Sequence, residues 1–129
     1  MQPKTHPAIA SQHYRMLHLQ SRVASASPHG LVGLLYEELL RSLDLIIAKH
    51  AQGKAIAGIT HLAKALSILV ALESSLDFDK GGNLALVLSR IYRSTTRDLN
   101  EAARNDDIAK IVDTRAAISD IAYAWQALT

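Results

Sequence analysis

From Leu31 onward the apolar residues recur at helical spacing. Leu31, Leu35, Leu39, Leu43 and Ile46 run down one side, with Val32, Tyr36, Leu40 and Ile47 alongside and Glu37, Arg41 and Asp44 opposite. A stripe this wide predicts a helix buried on more than one flank. Ser27-Pro28 marks its start, because a Ser oxygen can accept an orphan amide and Pro is tolerated in the first turn. Gly53 supplies its stop. A second pattern, Lys54 to about Leu76, gathers Ile59, Leu62, Leu66, Leu69 and Val70 against Thr60, Lys64, Ser67 and Ser74. Asp77-Phe78-Asp79-Lys80-Gly81-Gly82 then reads as a turn, with Asp79 as the N-cap of the third helix.

The third pattern holds Leu84, Leu88, Ile91, Tyr92, Thr95, Leu99 and Ala102 on one face, with Arg90, Arg93, Arg97 and Glu101 outward. Asn105-Asp106-Asp107 restarts the chain with a cap and first-turn negative charge that suits the helix dipole. The last helix shows Ile108, Ile111, Val112, Ile118, Ile121, Ala122, Trp125 and Leu128. Four helices of about 21 to 24 residues, each roughly 32 to 36 Å long, with short connections predict an all-α fold. The expected architecture is an antiparallel up-down-up-down four-helix bundle over residues 26–129. A flexible or short-helical N-terminal leader over residues 1–25 precedes it.

Composition narrows the chemistry. The chain has 129 residues and no cysteine, which removes thiol catalysis, disulfides and iron–sulfur ligation. The 49% hydrophobic content is mostly aliphatic, with 5% aromatic residues, which favours packed helices. The net charge of +2 is unevenly placed. Residues 1–30 hold Lys4, Arg15 and Arg22, no acid and four of the six histidines, while the remainder is near neutral. With no clustered basic face carrying interleaved aromatics, nucleic acid is not an expected partner. The leader lacks the apolar run of a signal peptide, and the longest apolar runs, Ile68 to Leu72 and Leu84 to Leu88, are too short to span a membrane. A cytoplasmic location with no membrane partner is the expectation.

Catalytic constellations are missing. There is no Glu-x-x-His pair for a di-metal centre, no His-Glu-x-x-His, no Walker A and no Gly-x-Ser-x-Gly. Neither a catalytic residue nor a cofactor is assigned. Asp77 to Gly82 opens like a calcium loop, but the fifth position is Gly81 and the twelfth is Leu88, so a capped turn is the better reading. His6, His13, His18 and His29 lack a regular ligand spacing, so no metal site is assigned. His61-Leu62-Ala63-Lys64-Ala65 is similar to the His-x-x-Lys-Gly segment of histidine phosphotransfer domains, with Ala65 in place of Gly. A phosphotransfer domain using His61 is therefore the alternative function, against the plainer reading of a solvated His–Lys face. Leu86 and Val87 widen the third stripe beyond what one seam needs. That surplus is either exposed partner-binding surface or simply deeper burial.

Two spaced motifs fall in register with a known family. Ala26-Ser27-Pro28-His29-Gly30-Leu31-Val32-Gly33-Leu34-Leu35-Tyr36-Glu37 resembles the Ala-Ser-Pro-x-x-Leu-x-x-x-Leu-Tyr-Asp/Glu opening of the FliS family of flagellin export chaperones. Leu76-Asp77-Phe78-Asp79-Lys80-Gly81-Gly82-Asn83-Leu84-Ala85, followed by Leu88 and Ile91-Tyr92, is similar to that family's Leu-Asp-x-x-x-Gly-Gly-x-Leu-Ala segment. Asn100 to Asp106 and Trp125 also fall where the family places them, so the resemblance covers about residues 21–128. Departures are Tyr92-Arg93-Ser94-Thr95, where the family often has Tyr-Asp-Tyr-Met, Glu38 in place of a Gly, and a poorly matching leader up to Gln20.

The resemblance implies a non-enzymatic chaperone. Such a protein binds the disordered C-terminal segment of flagellin, blocks premature polymerisation and assists delivery to the flagellar type III export apparatus. An export-gate component is a further implied partner, and self-association into a homodimer stays open. The matching apolar positions, Leu31, Leu34, Leu35, Leu84, Leu88, Ile91 and Tyr92, are the expected groove or groove-supporting residues. Tyr14, Met16, Leu17 and Leu19 are the expected N-terminal cap over that groove.

Overall fold

The computed structural model describes residues 7–128, so Lys4 and His6 of the leader lie outside the described residues. Every regular element among the described residues is helical: α1 (Pro7–Ser25), α2 (Pro28–Ala51), α3 (Thr60–Ser74), α4 (Phe78–Asn105) and α5 (Ile108–Ala127). A 3₁₀ turn at Ile56–Gly58 sits between α2 and α3. The chain divides into two compact units, one ending at Leu31 and the other beginning at Val32.

In the first unit the expected flexible or short-helical leader carries a helix of 19 residues. Neither Gly nor Pro interrupts the chain from Ala8 to Ser25, and Arg22 in the last turn complements the dipole. Ser27 ends the break between α1 and α2 as expected: its hydroxyl accepts the Gly30 amide at 3.1 Å and its carbonyl accepts Leu31 N–H at 2.8 Å. A Cβ at Gly30 would come within 3.3 Å of that hydroxyl, so the cap and the glycine suit each other.

The second unit is built on one core. Leu39, Leu43 and Ile46 of α2, Ala65 and Leu72 of α3, Leu99 and Ala102 of α4, and Ile111 of α5 are fully buried together. Helix lengths depart from the near-equal set that the sequence pattern predicts: α2 has 24 residues, α3 15, α4 28 and α5 20. The stretch Lys54 to Ile59, expected to be helical, leaves the helix and instead inserts Ile56 and Ile59 into the core. Gly58 weakens helix here, and the Ile56 amide finds a partner elsewhere, donating to Asp106 Oδ1 at 2.9 Å.

Helix α4 starts earlier than expected, at Phe78. Asp77, not Asp79, is its N-cap, with Oδ1 accepting from the amides of Asp79 at 3.1 Å and Lys80 at 3.0 Å. Gly82 interrupts the run at φ 50°, ψ −127°, a conformation closed to residues with a side chain, so a single capped turn precedes the straight part of α4. At the other end Asp106 takes the left-handed conformation and Asp107 caps α5 by accepting the Lys110 amide at 3.2 Å. Ion pairs tie neighbouring helices: Glu38–Lys64 joins α2 to α3, Glu73–Arg93 joins α3 to α4, Glu101–Lys110 joins α4 to α5, and Asp44–Arg115 joins α2 to α5. No helix among the described residues is long and apolar enough to cross a membrane.

Candidate functional site

The residues singled out in the two motifs separate into three environments. Leu34, Leu88 and Tyr92 are buried, at 6%, 7% and 1% exposure, and belong to the interior. Leu35 and Ile91 are half-buried and pack against the core. Leu84 is 49% exposed on α4, and Leu31, at the end of the first unit, is 37% exposed. Three of the seven expected groove positions are therefore core residues, as an apolar position inside a periodic stripe usually is.

The geometry of α4 explains the division. Ala85, Leu88, Tyr92, Thr95, Leu99 and Ala102 form its buried line. Leu84, Val87 and Ile91, spaced three and four apart, share the strip to one side of it, and Leu86 lies on the other. Leu84, Leu86 and Val87 are each about half exposed, so the surplus apolar residues of this stripe are partly in solvent. Phe78, at 49% exposure, stands one turn earlier, before the Gly82 break. Sequence reasoning missed Val70 on α3 and Tyr123 on α5, which are exposed at 66% and 78%, and placed Val70 in the core. The signal was phase: the buried line of α3 runs through Ala65, Ile68, Leu69 and Leu72, and Val70 falls outside it. Val112 and Leu128 of the last expected stripe are also exposed.

Beneath α4, Tyr92 and Tyr36 meet hydroxyl to hydroxyl at 2.5 Å, and the Tyr36 ring meets the Trp125 ring edge-on at 6.1 Å. Burial pushes both phenols above their ordinary range, Tyr92 furthest, so both stay neutral and the bond is a neutral O–H···O pair.

On α1, Tyr14, Met16 and Leu17 are exposed and Leu19 is half-buried. His61, the candidate phosphoryl acceptor, is half-buried rather than fully presented, and burial together with Lys64, Lys49 and Arg41 holds its imidazole below the usual histidine range. Among the described residues no group of His, Asp or Glu is arranged to hold a metal ion.

Comparison with known proteins gives the setting for these surfaces. The family model described as Flagellar protein FliS matches residues 10–129. The flagellar secretion chaperone FliS of Salmonella typhimurium is 32% identical over 117 residues, spanning 90% of this chain and 87% of the relative. The flagellar secretion chaperone FliS of Vibrio cholerae is 29% identical over 88% of this chain and 84% of its own length. The flagellar secretion chaperone FliSB of Pseudomonas aeruginosa is 26% identical over 93% of this chain and 95% of its own.

Proposed function

The chain belongs to the FliS family of flagellar proteins, a family of secretion chaperones and not of enzymes, and from that membership we propose that it chaperones flagellin. In this reading it holds the disordered C-terminal segment of flagellin in the cytoplasm, prevents premature polymerisation, and assists delivery to the export apparatus, where an export-gate component is its second partner. The helices of residues 26–129 act as an antiparallel up-down-up-down bundle that lends apolar surface to the client. A disordered client with amphipathic segments can fold as helices against such a surface, exchanging ordering entropy for buried area.

The observation that carries this reading is the exposed apolar flank of α4. A chain selected only for its own stability and solubility would place polar residues at Leu84 and Val87, where each is half in water. In this proposal Leu84 and Ile91 on α4 and Leu35 on α2 contact the client, while Leu34, Leu88 and Tyr92 support them from the core; Leu31 adds apolar surface of its own. Residues 1–20 compete with the client for apolar surface through Tyr14, Met16, Leu17 and Leu19.

The test is titration calorimetry of the full chain against a flagellin C-terminal peptide. The expected result is one-to-one binding at micromolar affinity or tighter, about −8 kcal/mol, with a negative heat-capacity change and a gain of helix. No heat and no helix gain overturns the proposal. Deleting residues 1–20 tightens binding if the leader competes, and unchanged or weaker affinity removes that role.

A further inference from the structure

We propose that a cationic strip along α2 and α3, formed by Arg41, Lys49, His61 and Lys64, docks an acidic peptide segment of a partner protein. The strip is distinct from the apolar flank of α4, and the inference does not rest on flagellin being the client.

Helical spacing and one ion pair bring these groups together. Arg41, Leu45 and Lys49 stand four residues apart and make one line along α2, two cations flanking a half-buried leucine. Lys64 reaches across to Glu38, one turn before Arg41, at 3.2 Å, which sets the first turns of α3 against this length of α2. His61, three residues before Lys64, shares its face.

The charge of the strip is compensated only in part: Glu38 meets Lys64, and Glu37 opens the line one turn before Arg41. Arg93, Lys110 and Arg115 each meet an acid on a neighbouring helix, Glu73, Glu101 and Asp44 respectively. Arg41 and Lys49 make no ion pair among the described residues, so Glu38 is the single carboxylate bonded to the group. The half-buried His61 senses the result. The charges acting on its imidazole are those of Lys64, Lys49 and Arg41, all disfavouring protonation, with no carboxylate acting against them.

Helix stability does not account for the arrangement either. Lys49 in the last turn of α2 does suit the dipole of that helix. Helix α3, however, opens on Ile59 with no side-chain cap and no acid in its first turn, and places His61 and Lys64 beside its positive end. Favourable placement would put Asp or Glu there. A row of carboxylates supplied by another chain would satisfy both the cations and the positive end of α3, with the leucine between the cations giving an apolar step.

The experiment is fluorescence anisotropy of a fluorescein-labelled peptide of alternating Glu and Ala with the full chain at low ionic strength. We expect saturable binding that weakens with added salt. Arg41→Gln/Lys49→Gln should bind about tenfold more weakly, with each single change giving part of the loss. A control pair removing two exposed cations of α4, Arg90→Gln/Arg97→Gln, should stay within about twofold. All variants are compared at matched helix content and urea midpoint, and the singles give the reading if the double variant is unstable. Absence of binding, equal loss in both pairs, or Arg41- and Lys49-dependent binding to phosphatidylglycerol vesicles or duplex DNA without binding to the peptide overturns the proposal.

Discussion

At the scale of single residues, the second unit has one polar bond whose removal should show a clear signature. The Tyr36 and Tyr92 hydroxyls are buried and satisfy each other. Removing one leaves the other without a partner, and an unpaired buried hydroxyl costs about 1–3 kcal/mol. Tyr92→Phe and Tyr36→Phe should each destabilise by that order in urea unfolding, and the double variant should cost clearly less than the two together. Simple additivity would show that the bond contributes nothing. The burial of both rings was legible in the sequence, because each sits within a periodic apolar stripe. Their bond was not, because the partners are 56 residues apart and periodicity carries no information about which stripes meet. The cap of α4 was nearly legible: the turn Asp77 to Gly82 contains two aspartates, and only the backbone decides that Asp77 bonds the amides of Asp79 and Lys80.

At the scale of elements, the least legible feature was the shortness of α3. Its apolar spacing continues back to Ile59 and Ile56, so periodicity extends the helix over residues that the fold uses as a plug built on a 3₁₀ turn. What decides the outcome is a distant side chain, Asp106, whose carboxylate accepts the Ile56 amide and lies 3.3 Å from His50 Nε2. That amide first, and then His50, hold the Asp106 carboxyl below its ordinary range, against an opposing effect of desolvation. Asp106→Ala should speed amide exchange at Ile56 and in the 3₁₀ turn while leaving the middle of α2 and α4 protected. Protection unchanged at Ile56 would show that the isoleucines alone anchor the plug. Glu73, lowered chiefly by the Arg93 bond, and Glu101, lowered chiefly by Lys110, shift in the same direction. Groups whose folded pKa is depressed stabilise above their unfolded value, about 4, and lose that contribution as pH falls through the lower folded value. The urea midpoint should therefore be level through neutral pH and fall below about pH 4, with a shallower fall in Asp106→Ala.

At the scale of the whole molecule, helix α4 serves two demands that pull on adjacent residues. Its buried line supplies stability, and the strip beside it holds Leu84 and Val87 half in water, where the proposed client would cover them. Sequence alone could not separate the two, since Leu84 and Leu88 are the same residue type one turn apart in one motif, and the choice depends on the phase at which the rest of the core meets the helix. The structure makes the separation testable. Leu88→Ala removes a side chain 7% exposed and should cost about 2–4 kcal/mol in unfolding free energy. Leu84→Ser and Val87→Ser, on residues 49% exposed, should change stability by no more than about 0.5 kcal/mol. Binding of the flagellin peptide should respond in the opposite order, with the two serine variants together weakening it at least tenfold, or about 1.4 kcal/mol, at unchanged stability. If the serine variants bind as tightly as the unaltered chain, this flank is not the client surface, whatever the peptide's affinity.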